Sequence, residues 1–479
     1  MLVGRKKEQR QLLSALKEEN SQFIALYGRR RIGKTFLVRE TFEGNFAFQH
    51  TAVYRGGLAR QLAAFCRSLD AAGLCDYDPP ANWMDAFELL KRLLGPGLKS
   101  GGSSKKVIFI DELSWMDTTR GDLIPALEWF WNSWASARHD IVLIVCASAT
   151  SWMLNKVIHN KGGLYNRLNK KIQLRPFSLG ECEELLTSRG VALDRQQILE
   201  LYMALGGVPY YWEFIGRGQS AAQNIDQLFF AEGAPLASEF DYLFASIFSR
   251  PEGYLKIVHA LTGKRAGLTQ DEISKKARIP KSGHLSQKLA ELESCGFIRS
   301  YRAYGKKTKG TIYQLIDNFT LFYYKFLVDR PDDESFWTAQ RNAPAIQAWR
   351  GLAFERVCLE HLPQIKQALG ISGVHSSANA WSCEADEEKG LQGSQIDLLI
   401  VRDDRVVNVC EMKWASSPFA VTKAVDESVR RKLADFSLAT GTTYALHSTL
   451  VTTYGLADGR HAGVFQFVVN ADDLFAPLR

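Results

Sequence analysis

Residues Gly28 to Thr35 read Gly28-Arg29-Arg30-Arg31-Ile32-Gly33-Lys34-Thr35, the spacing G-x-x-x-x-G-K-[ST]. Such a loop points its backbone N–H groups at phosphate oxygens where a helix begins, and the helix dipole favours an anion there. Lys34 is expected to reach the β- and γ-phosphates, and Thr35 to hold Mg²⁺. A second chemical run, Lys106-Val107-Ile108-Phe109-Ile110-Asp111-Glu112, places two carboxylates after four apolar residues. Asp111 suits Mg²⁺ orientation and Glu112 suits polarising an attacking water, so hydrolysis of a nucleoside triphosphate is expected. Glu112 read otherwise is a solvated residue at a strand end. Ser148 follows the apolar run Ile141 to Ala147 and is placed to sense a γ-phosphate; an ordinary strand-ending turn explains it as well. Arg167, after Gly162-Gly163-Leu164-Tyr165-Asn166, is a candidate for stabilising transition-state charge, or a surface arginine.

A third set lies near the C-terminus. Gln395 to Val401 and Val406 to Lys413 read as two strands of a hairpin. Alternation puts Glu411 and Lys413 on one face, and antiparallel pairing can bring Asp397 beside them. Asp397 and Glu411 offer hard oxygen ligands for Mg²⁺. Lys413 can orient or deprotonate a metal-bound water that attacks a phosphodiester, and Glu355 stands on the helix expected over Trp349 to Ala368. A sheet with an internal ion pair is the plainer alternative.

The elements that must hold these groups follow from periodicity. Short apolar runs at Phe23–Tyr27, Phe46–Phe48, Val107–Ile110, Ile141–Ala147 and Ile172–Leu174 alternate with amphipathic stretches, which predicts a parallel sheet flanked by helices over residues 1–176. Residues 177–245 read as a helical lid containing the turn Gly206-Gly207-Val208-Pro209, with Pro209 a candidate neighbour of an adenine base or part of a plain helix–helix turn. Residues 246–330 read as three helices and a hairpin with a basic tip at Gly305 to Gly310, the plan of a winged helix-turn-helix. Thr269 and Glu272 are spaced as a capping box for its second helix. Lys281, Ser282, His284, Gln287 and Lys288 fall on or near the third. Residues 340–479 read as a last α/β domain.

The chain has 479 residues and a net charge of +7. Between Gly263 and Gly310 there are twelve Lys or Arg against four Asp or Glu, so this block carries the whole excess and the rest is nearly neutral. A compact basic block predicts a polyanion partner, DNA, through residues 263–310; a winged helix used for protein contacts is the alternative. The eight cysteines form no C-x-x-C pair and the nine histidines no paired spacing, so neither a zinc framework nor disulfides are expected. The start has no signal-peptide character and no apolar run is long enough to span a bilayer, which predicts a cytoplasmic protein without a membrane partner.

Taken together, Val3-Gly4-Arg5, the phosphate loop, Asp111-Glu112, Arg167, the Gly206–Pro209 turn and the Asp397…Lys413 hairpin resemble the AAA+-like ATPases of archaea and bacteria, close to the signal-transduction ATPases with numerous domains, that carry a C-terminal domain of the PD-(D/E)XK nuclease type. Ile396 stands before Asp397 where such members often have proline. The resemblance implies ATP rather than GTP. Its fold class would be an α/β P-loop NTPase parallel sheet with a helical lid, then a winged helix, then an α/β restriction-endonuclease-like domain. Two functions remain: an ATP-regulated, Mg²⁺-dependent DNA nuclease, or a nucleotide-switched DNA-binding regulator whose nuclease-like domain is inactive. A motor working as a homo-oligomer is a third.

Overall fold

The computed structural model describes residues 2–96, 105–248, 250–305 and 310–478. It divides into two compact units, Met1–Arg175 with Ala245–Ser249, and Pro176–Phe244 with Arg250–Arg479. Most of the basic tip expected at Gly305 to Gly310, residues 306–309, lies outside the described residues, as do residues 97–104 of the stretch Gly95 to Ser104, whose Gly and Ser content predicts a surface loop before the Asp111 strand.

The first unit is built on five strands, β1 (Gln22–Tyr27), β2 (Phe48–Thr51), β3 (Lys106–Asp111), β4 (Ile141–Ala147) and β5 (Lys170–Gln173), in the order β2-β3-β4-β1-β5. Every pairing is parallel. A parallel sheet is covered on both faces, so its strands read as continuous apolar runs. Successive residues accordingly enter opposite cores. Phe23, Ala25, Ile108, Ile110, Leu143 and Val145 pack on one side, and Ile24, Leu26, Val107, Phe109, Val142 and Ile144 on the other. The strand expected at Phe46–Phe48 runs instead over Phe48–Thr51, because Phe48 registers with Ile108 while Phe46 stays outside the ladder against Phe109, with ring centroids 5.7 Å apart. Helix α1 (Lys34–Thr41) follows β1 directly after the glycine loop.

The second unit begins with short helices, among them Leu179–Ser188, Arg195–Leu205 and Pro209–Trp212. Then come α2 (Glu252–Thr262), α3 (Gln270–Ala277) and α4 (Gly283–Ser294), with a small antiparallel sheet, β6 (Leu268–Thr269), β7 (Ile298–Arg302) and β8 (Thr311–Leu315), in the order β6-β8-β7. The Thr269–Glu272 capping box forms as the sequence predicts.

The C-terminal part carries α5 (Pro344–Glu360), α6 (Leu362–Ala368), β9 (Ser376–Asp386), β10 (Leu391–Arg402), β11 (Val406–Lys413), α7 (Lys423–Thr440), β12 (Ala445–Thr452) and β13 (Phe467–Val469). The sheet order is β13-β12-β11-β10-β9. β9, β10 and β11 form an antiparallel meander; α7 then carries the chain across to β12, parallel to β11. The single helix expected over Trp349 to Ala368 is two helices, broken at His361. Pro363 in the first turn of α6 has no N–H to continue the ladder of α5. The edge of β9 is not bare: Ala303, just past β7, bridges Ala380, and Tyr304 N–H donates to Ala380 O at 2.9 Å.

Candidate functional sites

In the strand order β3-β4-β1, the ends of three neighbouring strands deliver the first site. β1 leads into the phosphate loop, β3 ends at Asp111, and β4 between them ends just before Ser148. The loop is shaped by glycine where only glycine fits. Gly28 has φ +154°, and a Cβ there would lie 2.5 Å from Leu174 O. Arg5 also shapes it: the guanidinium is buried and donates to Arg175 O at 2.7 Å and to Ile32 O at 3.4 Å. Ile32 anchors the loop in the core, Arg31 adopts a left-handed φ of 67°, and Arg30 is partly exposed.

Lys34 is buried, and its Nζ donates to Gly28 O at 2.9 Å, Arg29 O at 3.2 Å and Ser148 Oγ at 2.9 Å. Burial pushes its pKa down, opposed by the charges of Glu112 and Asp111. Ser148 hands the line on. Its N–H donates to Glu112 Oε2 at 3.0 Å and its hydroxyl to Glu112 Oε1. Glu112 itself sits at φ 53°, a left-handed conformation uncommon for a residue with a Cβ, which turns its carboxylate back toward β4. Thr35 Oγ1 donates to Asp111 Oδ2 at 2.6 Å. Asp111 is raised by burial, with the Thr35 bond opposing. A hydroxyl and a carboxylate side by side are the hard oxygen donors Mg²⁺ takes, so the donor set fits that ion.

The structure thus brings Gly28, Arg29, Gly33, Lys34, Thr35, Asp111, Glu112 and Ser148 into one site. Arg167 is not joined to it: it lies on an exposed turn, its N–H held by Leu164 O at 3.1 Å, and no bond links its side chain to Lys34, Asp111 or Glu112. Pro209 opens the short helix Pro209–Trp212 in the second unit. Beside it, Gly207 packs so tightly that a Cβ would fall 1.9 Å from Phe177 O.

The second cluster is in the C-terminal part. Leu398 of β10 registers with Cys410 of β11, and one step further along puts Asp397 across from Glu411. Glu355 comes from α5. One guanidinium nitrogen of Arg265, in the turn between α2 and β6, pairs with both Glu355 and Asp397, the latter at 2.6 Å. Glu411 is held from two sides, by Lys413 at 2.7 Å and by Lys432 of α7 at 2.6 Å. Burial pushes the Glu355 carboxyl up to about 7; Arg265 and Lys413 oppose this, while Asp397 and Glu411 add to it. Burial would also raise Glu411, but Lys432 and Lys413 outweigh it and the group ends below its usual range. The four expected residues therefore share one electrostatic environment, with their carboxylates committed to cations. Among the described residues no group of three or more His, Cys, Asp or Glu side chains is arranged to hold a metal ion. Arg265 and Lys432 were not legible as members: neither has a motif, and each arrives from a distant segment.

On α4 the apolar side chains Leu285, Leu289 and Leu292 are buried, while Lys281, Ser282, His284 and Gln287 are exposed beside or along it. Lys281 pairs with Asp271 at 2.5 Å, and Lys288 lies over the Tyr254 ring at 4.0 Å. Among the described residues no helix is long and apolar enough to cross a membrane.

The family described as an ATPase domain predominantly from Archaea matches residues 2–214. An uncharacterized protein of Methanocaldococcus jannaschii is 23% identical over 445 residues, covering 90% of this chain and 92% of that one. Among solved structures, a Walker-type ATPase of Pyrococcus abyssi has a TM-score of 0.46 at 15% identity over 67% of this chain and 95% of its own. The ORC2 protein of Aeropyrum pernix has a TM-score of 0.40 at 17% identity over 72% of this chain and 95% of its own.

Proposed function

Starting from an ATPase-type domain over residues 2–214, we propose that the protein hydrolyses ATP and acts on DNA, with a C-terminal module that cuts the strand in a metal-dependent, ATP-regulated reaction. The hydrogen-bonded line Lys34–Ser148–Glu112 carries the ATPase reading. It joins the group that grips a γ-phosphate to the carboxylate that would orient the attacking water. Asp111 and Glu112 set two carboxylates beside the place of the phosphates, so a triphosphate would enter with a cation. Thr35 and Asp111 would hold Mg²⁺, which when bound supplies charge neutralisation at the phosphate oxygens. Ser148, already bonded to both Lys34 and Glu112, ties γ-phosphate occupancy to the position of the water-orienting carboxylate.

DNA engagement is supported by the basic block and by the exposed polar face of α4, which would enter the major groove. Cleavage is supported by the convergence of Glu355, Asp397, Glu411 and Lys413 on an antiparallel meander followed by a parallel crossover. Asp397 and Glu411 would hold the metal, and Lys413 would orient the water. One observation favours the regulator reading instead: Arg265 pairs with both Glu355 and Asp397.

The deciding experiment measures ATP turnover and plasmid cleavage with Mg²⁺ or Mn²⁺, with and without ATP, in the parent, Lys34→Ala and Lys413→Ala. Turnover lost in Lys34→Ala and nicking lost in Lys413→Ala would support both halves. Turnover without nicking under any condition would leave the regulator; no turnover at all would sink the ATPase reading.

A further inference from the structure

The second unit holds a half-open cavity of about 500 Å³ bounded by the Leu261–Ala266 turn and by side chains of β7, β8, α5, β9 and β10. Five cationic side chains line it, Lys264, Arg265, Arg299, Lys325 and Arg356, against the carboxylates Glu355 and Asp397. Both carboxylates are taken by Arg265, and Lys264 pairs with Glu272 at 2.8 Å. Among the described residues, Arg299, Lys325 and Arg356 have no ion-pair partner.

Lys325 is exposed, but the two arginines are not free to hydrate fully. Arg299 spends one donor on Gln314 Oε1 at 2.7 Å and lies over the Tyr301 ring at 4.9 Å. The Nε of Arg356 is buried with no hydrogen-bond partner, and so is the indole Nε1 of Trp349 on the same wall. Burial pulls Arg356 down to about 10, with Glu360 and Glu355 opposing. A desolvated charge whose neighbouring carboxylates make no direct ion pair with it is costly, and buried donors without acceptors add to that cost.

A ligand that relieves this wall must be anionic and rich in acceptors. A phosphate meets both needs, because its oxygens only accept and a guanidinium fork matches them two at a time. The volume lies within the usual range for small-molecule sites, about 300–1,000 Å³, and leaves room for a sugar and base beside the phosphate. Tyr301 and Tyr324 on the wall offer aromatic surface for a base. We infer that this cavity binds a phosphorylated nucleoside, free or at the end of a DNA strand, through Arg299 and Arg356. The claim shares Glu355 and Asp397 with the cleavage reading above but concerns binding, and stands whether or not Lys413 supports cleavage.

The test is titration of the full-length chain carrying Lys34→Ala, followed by tryptophan fluorescence and calorimetry. The probes are thymidine 5′-monophosphate, thymidine, and a short single-stranded oligonucleotide with and without a 5′-phosphate. Expected are a preference of at least tenfold for the phosphorylated member of a pair, and at least a tenfold loss of it in Arg356→Gln and in Arg299→Gln. Preference for the monophosphate alone would identify a free nucleotide as the ligand; preference for the 5′-phosphorylated strand alone would identify a DNA end. In the Lys34-containing background both arginine variants should retain ATP turnover, which checks that they fold; if Arg356→Gln does not, Arg356→Lys, which keeps the charge and loses the fork, replaces it. Equal binding with and without phosphate, or full affinity in folded variants of both arginines, would overturn the inference. Binding retained in Lys413→Ala with cleavage absent would separate this site from the nuclease reading.

Discussion

Arg265 and Asp397, 132 residues apart in sequence, meet at 2.6 Å, and the same guanidinium nitrogen also pairs with Glu355. A cation from the turn after α2 thus sits on two of the carboxylates that a nuclease would use. The contact is partly open to solvent, with the Arg265 side chain 43% exposed, so its worth to stability is small, about 0–1 kcal/mol. Its effect on the carboxylates is direct. Arg265→Ala should raise Mg²⁺-dependent plasmid nicking at least tenfold if the pairing restrains the site. A rate equal to or below the parent's would mean that Arg265 is no restraint.

In the first unit, Glu112→Gln keeps the shape of the side chain and removes its charge. ATP affinity should stay within about threefold of the parent while kcat falls about 10²–10⁴-fold, the usual contribution of a positioned base. Ser148→Ala breaks the line at its middle and should lower kcat about tenfold. Rapid-quench measurement of phosphate release separates these from binding defects. A Glu112→Gln enzyme at parental speed would remove Glu112 from the chemistry.

Two buried histidines set an acid limit. His361 accepts from Leu179 N–H at Nε2 (3.0 Å) and contacts Val357 O through Nδ1 (2.8 Å). The first bond requires a bare Nε2, so protonation would break it. Burial pulls this group to about 4, and His50 likewise. Their unfolded pKa is near 6.5, so between about pH 6.5 and 4 the unfolded chain binds more protons. Stability is full above this window and falls as pH drops through it, on the order of 3 kcal/mol for each histidine. Circular dichroism against urea at pH 7.5, 6 and 5 should show that fall, and His361→Gln should flatten part of it. A stability independent of pH over that range contradicts the assignment.

Gly207→Ala should be severely destabilising, because its Cβ would fall 1.9 Å from the Phe177 carbonyl oxygen, which is backbone and cannot swing aside. A loss of about 3 kcal/mol or more, or insoluble protein, is expected, and thermal melting reads it. Gly44→Ala gives a comparison, since nothing lies within 4 Å of its Cβ, although its φ of +72° still imposes strain. Equal melting temperatures for the two variants would show that the backbone yields at Phe177.

The phosphate loop was legible because its residues are contiguous and its flanks carry opposite periodicities: five apolar residues for β1, then a helix-forming run. Asp111 and Ser148 were legible for the same reason, each closing a continuous apolar strand of a buried parallel sheet. What could not be read was which strand end lies between which. That depends on the order β3-β4-β1, which places Ser148 between Lys34 and Glu112. Nor did any local pattern mark Arg265 or Lys432, whose roles come only from long-range packing; Arg5 stood out in Val3-Gly4-Arg5, but the carbonyls of Ile32 and Arg175 that it holds did not. The break at His361 had a signal in Pro363, but the apolar spacing on both sides continued across it and suggested one helix.

The bridge between Ala303 and Ala380 also has a practical meaning for anyone preparing the C-terminal part alone. β9 is the outermost strand of its sheet, and the segment after β7 covers part of its free edge. A fragment beginning near residue 340 would lose the cover at Ala380 and leave that edge of an eleven-residue strand more open, a template for another copy to add to. Such a fragment should self-associate more than one beginning at residue 250, which keeps the cover at Ala380.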